Sequence, residues 1–175
     1  MRIITGTARG RKLKEPAGQD IRPTADSVKE SIFNIVQFDV EGRRVLDLFA
    51  GTGQLGIEAL SRGALSCVFV DESREAVQLV RENLERCGFR GQQVVTGDAL
   101  SFLRRGERFD LIIADPPYGS GLAVKAVEIA KEFDILSKGG IIVCETDRDC
   151  LVPPLFDDCR VYRYGKIKLT VLRKA

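Results

Sequence analysis

The chain alternates short apolar runs with amphipathic segments, and this alternation is the feature that most constrains its fold. Apolar runs predict strands at 45–49, 67–71, 93–96, 110–115 and 141–145. Segments with helical periodicity lie between them at 54–61, 73–87, 99–104 and 122–133. A further helix precedes the first strand, with Val28 and Ile32 on its apolar face and Thr24 as its predicted N-cap. Repeated strand–helix units predict a mostly parallel sheet with helices on both faces.

The end of the chain follows a different pattern. Two strand-like runs, 160–164 and 166–173, are separated only by Gly165. Because a tight turn can join only antiparallel neighbours, the last strand is expected to run against the others. The fold class predicted is therefore α/β, a doubly wound Rossmann-like fold with a seven-stranded sheet. The 175 residues fit one domain, 1–175, in which a basic segment, 1–23, precedes a core at 24–175.

Composition excludes several classes of protein. Apolar residues make up 44% and charged residues 30% of the chain, which is ordinary for a globular protein. Neither a membrane-spanning run nor a secretory leader is present, so a cytoplasmic location is expected. The sequence has no histidine, and its five cysteines show no C-x-x-C spacing. We therefore expect buried thiols and no metal site.

A glycine-rich turn lies between the first strand and the next helix, in the sequence DLFAGTGQLG. Gly51, Gly53 and Gly56 form the pattern G-x-G-x-x-G, which lets a nucleoside-bearing ligand approach the backbone at a helix N-terminus. Asp71 ends the next strand, where it is expected to bind ribose hydroxyls. These features alone are compatible with NAD binding.

Two further acids favour a different ligand. Asp47 precedes the turn, and a carboxylate there suits a positively charged group better than a pyrophosphate. Asp98, followed by Ala99, comes after the third strand and is placed to accept a hydrogen bond from an adenine amino group. A ligand with an ammonium group, a ribose and an adenine, and without phosphate, is S-adenosylmethionine.

The tetrapeptide DPPY follows the fourth predicted strand. The prolines end the strand and stiffen a loop at the sheet edge where ligands of open α/β folds bind. The Asp115 carboxylate and the Pro116 carbonyl could each accept an N–H of an exocyclic amino group, while Tyr118 stacks on its ring. Methylation of pyrimidine carbon needs a cysteine nucleophile, and none is close to this loop in sequence.

Charge is distributed unevenly although the net charge is only +2. Residues 1–22 carry +4 and residues 160–175 carry +6, which leaves −8 for the rest of the chain. Basic segments at both ends of an acidic body predict a surface for a polyanion such as RNA.

Several motifs together resemble the bacterial 16S rRNA guanine-N2 methyltransferases of the RsmD type. RIITGTARGRKLK, IRPTADSVKESIFNI, VLDLFAGTGQLGIEALSRGA, DPPY and YGKIKLTVLRK occur in that family's order and run nearly from end to end. The resemblance implies methylation of N2 of a guanine in small-subunit rRNA with S-adenosylmethionine. The partner expected is 16S rRNA within an assembling 30S subunit, and the protein is expected to be a monomer. It also implies target binding at Asp115, Pro116 and Tyr118. The cofactor contacts expected are Asp47, Gly51, Gly53, Asp71, Asp98 and the adjoining Ala99.

Within this resemblance, the basic head is assigned to the RNA backbone. The residues are Arg9, Arg11, Lys12, Lys14 and Arg22, with Arg22 and Thr24 expected nearest the active site. Gln54 and Ser27 depart from the family pattern, at the cofactor turn and before the first helix. Two alternatives stay open: a DNA adenine-N6 methyltransferase, which shares DPPY, and an RNA-binding assembly module without activity. RNA is favoured because loops present unstacked bases to a compact enzyme.

Overall fold

The computed structural model describes residues 1–18 and 23–175. It contains five helices and seven strands in this part of the chain. Their order is α1 (Pro23–Ile35), β1 (Arg44–Leu48), α2 (Gln54–Ser61), β2 (Ser66–Asp71), α3 (Arg74–Cys87), β3 (Gln93–Thr96), α4 (Ala99–Leu103), β4 (Phe109–Ala114), α5 (Leu122–Glu132), β5 (Leu136–Asp147), β6 (Asp158–Tyr164) and β7 (Ile167–Arg173).

The strands form one seven-stranded sheet in the order β3-β2-β1-β4-β5-β7-β6. Neighbouring strands from β3 to β5 are parallel, whereas β7 pairs antiparallel with both β5 and β6. The predicted fold class and the reversed direction of the last strand are therefore confirmed. The hairpin partner β6 takes the edge, and β7 lies inside the sheet.

Two local expectations are wrong. The fifth strand begins at Leu136 rather than after the Gly139-Gly140 pair, and the pairing steps from Phe109↔Leu136 to Leu111↔Ile141. Between these two pairs β5 advances by five residues and β4 by two. The glycines therefore lie in an irregularity inside the strand instead of a turn before it. In α1, Pro23 is the first helical residue, so Thr24 lies inside the helix and is not its N-cap.

Alternate residues of each strand enter two cores on opposite faces of the sheet. In β1, Val45 contributes to the core beneath α1, α2 and α3, while Leu46 contributes to the core beneath α4 and α5. In β4 the same alternation sends Ile113 to the first face and Ala114 to the second. Side chains at the carboxyl ends of neighbouring strands can therefore be assigned to a face from this period of two.

The basic head folds against the first face as an antiparallel ribbon, which we call the N-terminal ribbon (residues 1–14). A bridge joins Arg2 to Lys12, and Ile3, Ala8 and Leu13 are buried in the core beneath α1, α2 and α3. At Gly6, with φ of +91°, a Cβ would lie 1.8 Å from the Ser61 carbonyl oxygen. The ribbon thus packs directly on the end of α2.

A buried ion pair anchors this ribbon. The Glu58 carboxylate accepts hydrogen bonds from the backbone N–H groups of Ile4 (2.9 Å) and Thr5 (3.0 Å). Lys29 Nζ lies 3.7 Å from Glu58 Oε2 and donates to the Arg2 carbonyl at 2.6 Å. Burial lowers the pKa of Lys29, and the negative charge of Glu58 opposes that shift. Ribbon, α1 and α2 are held together by these contacts.

Candidate active site at the carboxyl edge of the sheet

A cavity of about 600 Å³ opens at the carboxyl ends of the central strands. This edge is where open α/β sheets bind ligands, and the volume suits a nucleoside-sized molecule. The lining residues are Phe49, Asp71, Glu72, Asp98, Ala99, Asp115, Pro116, Pro117, Tyr118, Leu122 and Glu145. Five of these eleven described residues carry carboxyl groups, and among them there is no lysine or arginine.

The three glycines of the turn have different structural roles. A Cβ on Gly51 would meet no atom within 4 Å, but its φ of +58° is left-handed, and its N–H donates to Asp71 Oδ2 at 2.9 Å. Gly53, with φ of +82°, is the N-cap of α2. Gly56 is helical, and a Cβ there would lie 2.3 Å from Phe69 Cε1. The first two glycines thus set the turn's backbone, and the third lets α2 pack closely on β2.

Asp47 lies beneath this turn. Its side chain is 1% exposed, and Oδ2 accepts a hydrogen bond from the Gly56 N–H at 2.9 Å. Burial raises the pKa of Asp47 to about 8, although the Gly56 hydrogen bond opposes the shift. Asp47 is not among the residues that line the cavity, so the described geometry makes it a support of the turn. Its contact with a cofactor stays a prediction.

Asp71 and Asp98 both line the cavity, at the ends of neighbouring strands. Asp71 accepts hydrogen bonds from Gly51 N and, through Oδ1, from Ser73 N at 2.9 Å. Asp98 is exposed and caps α4 by accepting from Ser101 N at 2.8 Å, and this hydrogen bond lowers its pKa. Each carboxylate keeps acceptor capacity after these bonds, because two oxygens offer about four acceptor sites. Ala99 lies beside Asp98 in the lining.

The DPPY loop forms the other side of the cavity. Asp115 is half-buried and directly follows β4, Pro116 is buried, and Tyr118 is 48% exposed. Burial, followed by the nearby charge of Glu145, raises the pKa of Asp115 well above its usual range. The Tyr118 hydroxyl donates to Glu145 Oε1 at 3.1 Å. The structure thus brings the three predicted target-binding residues to one wall.

Glu145 is the main cavity residue that sequence reasoning missed. It ends the apolar part of β5 one residue after Cys144, which pairs with Ala114. A signal was available, because a carboxylate at a strand end is the same cue that identified Asp71 and Asp115. Glu72 and Leu122 also line the cavity without having been predicted.

Phe49 was missed for another reason. Its φ of +67° places a bulky side chain in the left-handed region, where non-glycine residues are uncommon. Such strain is typical of ligand-binding turns. No residue type in the sequence signals this conformation, because the backbone angle is imposed by the surrounding fold.

The predicted RNA-binding residues lie mostly on the N-terminal ribbon. Arg9, Arg11 and Lys12 are exposed there, and Arg11 Nη1 donates to the Arg86 carbonyl at 3.4 Å. Lys14 forms an exposed ion pair of 2.6 Å with Glu82. Arg22 lies outside the described residues. Thr24 is placed in α1, but its side chain lies outside the described part.

Asn83 joins the ribbon to the glycine turn. This fully buried side chain accepts from Lys14 N at 2.6 Å and donates to the carbonyl oxygens of Lys14 (3.0 Å) and Thr52 (2.9 Å). One amide therefore connects the ribbon, α3 and the turn beside the cavity. Gln54, which differs from the pattern of the RsmD type, lies at the start of α2 next to this turn. Its buried Oε1 has no hydrogen-bond partner among the described residues.

Two classes of feature are absent from the part of the chain that the structure describes. Within residues 1–18 and 23–175, no three His, Cys, Asp or Glu side chains are grouped so that they could hold a metal ion. None of the described helices is long and apolar enough to cross a membrane.

Comparison with known proteins places this site in a family. A family model described as "Conserved hypothetical protein 95" matches residues 1–173. The chain belongs to this family. It is 41% identical over 182 residues to the "Putative rRNA methyltransferase YlbH" of Bacillus subtilis (strain 168), covering 99% of each protein. It is also 35% identical over 154 residues to the Ribosomal RNA small subunit methyltransferase D of Haemophilus influenzae, covering 85% of this chain and 80% of the relative. The resemblance to the RsmD type is thus confirmed.

A more distant solved structure bears on the fold alone. The 16S rRNA N2 methyltransferase RsmC of T. thermophilus, in complex with AdoMet and guanosine, superposes with a TM-score of 0.75 and 24% identity. The match covers 91% of this chain and 45% of that chain. A Rossmann-like methyltransferase fold is therefore shared by the family and this neighbour.

Proposed function

We propose that the protein transfers a methyl group from S-adenosylmethionine to the exocyclic N2 of a guanine in small-subunit ribosomal RNA. The observation that carries the proposal is that Asp71 and Asp98, the predicted cofactor acids, line the same cavity as Asp115 and Tyr118 of the DPPY loop. Family membership with rRNA methyltransferases supports the reaction class and the substrate.

The charge of the cavity supports this cofactor over a dinucleotide. The lining contains five carboxyl groups and, among its described residues, no lysine or arginine. Such a lining repels a pyrophosphate and attracts a sulfonium or an ammonium group. Asp71 would bind the ribose, and Asp98 would accept from the adenine amino group. The residues present therefore fit S-adenosylmethionine, which when bound supplies an electrophilic methyl group.

The DPPY loop would prepare the nucleophile. The guanine amino group is a poor nucleophile because its lone pair is delocalised into the ring. Asp115 and the Pro116 carbonyl would each accept one N–H, which favours a pyramidal nitrogen with its lone pair aimed at the methyl carbon. Alignment and fixed dipoles then supply most of the rate. The nitrogen would form the new bond to the methyl carbon as the carbon–sulfur bond of the donor breaks and its electron pair passes to sulfur, and the extra proton would leave to Asp115 or water.

The N-terminal ribbon is the proposed RNA surface. Arg9, Arg11 and Lys12 are exposed on it, and Asn83 ties the ribbon to the turn beside the cavity. Phosphate contacts from such residues release counterions, so binding should weaken as salt rises. Replacing both Arg9 and Arg11 with alanine should lower RNA affinity. It should also reduce the slope of log binding constant against log salt concentration by about one per lost phosphate contact. Measuring RNA binding over a range of salt concentrations tests this, and an unchanged slope would remove the ribbon from the interface.

We further propose that the enzyme acts without a metal, as a cytoplasmic monomer, on 16S rRNA within an assembling 30S subunit. Labelled S-adenosylmethionine offered in parallel to free rRNA, small subunits and DNA, followed by identification of the methylated nucleoside, separates the substrates. Label in N2-methylguanosine of small-subunit rRNA is the expected result. Label in N6-methyladenine of DNA would instead establish the adenine enzyme, and RNA binding without transfer would establish the assembly module.

The Asp115→Ala variant tests the chemistry. It should reduce methyl transfer by about 100-fold or more, in line with the loss of one fixed hydrogen-bonding group, while cofactor binding stays largely intact. Glu132→Gln is the matched control, because Glu132 is exposed at the far end of α5 from the cavity. Equal transfer by Asp115→Ala and wild type would refute the mechanism. Tighter binding of NAD than of S-adenosylmethionine in a calorimetric titration would refute the cofactor.

A further inference from the structure

Two carboxyl groups face the target end of the cavity from adjacent strands. Ala114 pairs with Cys144 in the parallel ladder, so Asp115 and Glu145 occupy the next positions. Parallel strands lie about 4.8 Å apart, and the period of two sends both side chains to the same face. Both residues line the cavity. The sheet therefore presents a pair of neighbouring oxygen acceptors.

Tyr118 fixes the second member of the pair. Its hydroxyl donates to Glu145 Oε1 at 3.1 Å, so the ring that would stack on the base and the Glu145 carboxylate are held in one arrangement. A carboxylate that accepts this one bond keeps most of its acceptor capacity. Glu145 is thus oriented and still able to bind a donor of the base.

The two purines differ at the edge that meets such a pair. Guanine carries two adjacent donors, N1–H and the 2-amino group. Adenine carries a donor, the 6-amino group, beside an N1 that is an acceptor. Two neighbouring carboxylates complement guanine, whereas one of them would face the lone pair of adenine N1. A buried acceptor without its donor is unfavourable, so the mismatch discriminates strongly.

We propose that Glu145 selects guanine by accepting its N1–H, while Asp115 accepts a hydrogen of the 2-amino group. The proposal rests on the proposed function and adds the residue that distinguishes guanine from adenine. Burial raises the pKa of Glu145, as it does that of Asp115. Two N–H donors and a neighbouring sulfonium would favour the ionised carboxylates and so oppose that shift.

The test compares guanine with 2-aminopurine at the mapped target position of the rRNA substrate. 2-Aminopurine keeps the reacting 2-amino group but has an unprotonated N1 and lacks O6. The N1 contact is therefore isolated by comparing the preference of wild type with that of the Glu145 variants, because the loss of O6 is common to all of them. Wild-type enzyme should methylate guanine about 10- to 100-fold more efficiently, in kcat/KM, as expected for one hydrogen bond to a charged group. In Glu145→Gln the amide can still accept from Tyr118 and can donate to N1 of 2-aminopurine. The preference should then shrink to near unity or reverse.

Two further variants keep the test decisive. Tyr118→Phe loses the hydroxyl but not the Glu145 acceptor, so its rate should fall while its preference for guanine persists. Glu145→Ala should lose the preference without gaining one for 2-aminopurine. Binding of S-adenosylmethionine to each variant confirms an intact cofactor site. If wild type methylates no rRNA guanine, the proposed function fails. If wild type prefers guanine and both Glu145 variants keep that preference, only the role of Glu145 is overturned.

Discussion

Gly56→Ala tests whether the third glycine of the turn serves packing rather than ligand binding. The added Cβ would lie 2.3 Å from Phe69 Cε1, 2.8 Å from Phe69 Cζ and 2.7 Å from Cys67 Sγ. Favourable carbon contacts begin at about 3.5 Å, so all three are severe overlaps. Phe69 and Cys67 are fully buried in β2, which is paired on both sides by β1 and β3. The strand therefore has little freedom to retreat.

The magnitude follows from two opposing effects. Alanine is favoured over glycine by about 1 kcal/mol inside a helix, and Gly56 is a helical residue of α2. Overpacking a filled core typically costs about 1 to 3 kcal/mol. With three overlaps below 3 Å, we expect the upper part of that range and a net loss of about 1 to 2 kcal/mol in unfolding free energy. For a domain of this size the melting temperature should fall by about 2 to 8 °C.

Urea unfolding followed by far-ultraviolet circular dichroism measures the effect, because the chain has no tryptophan. Gly51→Ala is the matched control, since its Cβ would meet no atom within 4 Å although its φ of +58° is left-handed. That variant should lose cofactor affinity by a larger factor than Gly56→Ala does. The double variant Gly56→Ala/Phe69→Leu should lose less stability than the two single changes added together, since the leucine frees the space. A Gly56→Ala protein as stable as wild type would refute the close-packing explanation.

Two other predictions concern buried charges. In Asp47→Asn the amide oxygen can still accept from Gly56, but the group no longer ionises. The folded-state pKa of Asp47 is raised to about 8, so the fold favours the protonated carboxyl. The stability that this group contributes is complete below its unfolded pKa and is lost as pH rises through about 8. The unfolding free energy of wild type should therefore fall relative to that of the variant by up to about 1.4 kcal/mol per pH unit between pH 5 and 8. Urea midpoints of the two proteins that change equally with pH would contradict this. Lys29→Met removes the ammonium group beside Glu58 and the hydrogen bond to the Arg2 carbonyl, while Arg62 stays 3.0 Å from Glu58 Oε1. The variant should destabilise the fold by about 2 to 4 kcal/mol in urea unfolding. Adding Glu58→Gln should recover part of that loss, and a further additive loss would argue against a coupled pair.

Local signals in the sequence accounted for much of the site. Apolar runs located the strand ends, and the residues just beyond those ends, Asp71, Asp98 and Asp115, all line the cavity. This works because parallel strands that alternate with helices present their carboxyl ends on one edge. Glu145, the last residue of the predicted fifth strand, carries the same signal, although β5 continues to Asp147 in the structure.

The sequence predicted which residues lie near the site better than it predicted how deeply each of them is buried. The Asp47 carboxylate lies buried beneath the turn and accepts from Gly56, a depth that its place before the glycines did not indicate, and its contact with a cofactor stays a prediction. The basic head was assigned to RNA from charge, while Ile3, Ala8 and Leu13 of the same segment are part of the core. Both outcomes depend on which elements pack over a segment, and those elements are distant in sequence.

The sequence by itself determined the class of fold, the glycine turn, the acids that follow the strands and the reaction motif, because periodicity, glycine and proline act within a few residues. Only the tertiary structure decided that β7 lies inside the sheet with β6 at its edge, that the N-terminal ribbon is anchored by Glu58, and that Glu145 stands beside Asp115. These arrangements come from strand order and side-chain packing. Their energies arise between residues far apart in the chain, so no local pattern encodes them.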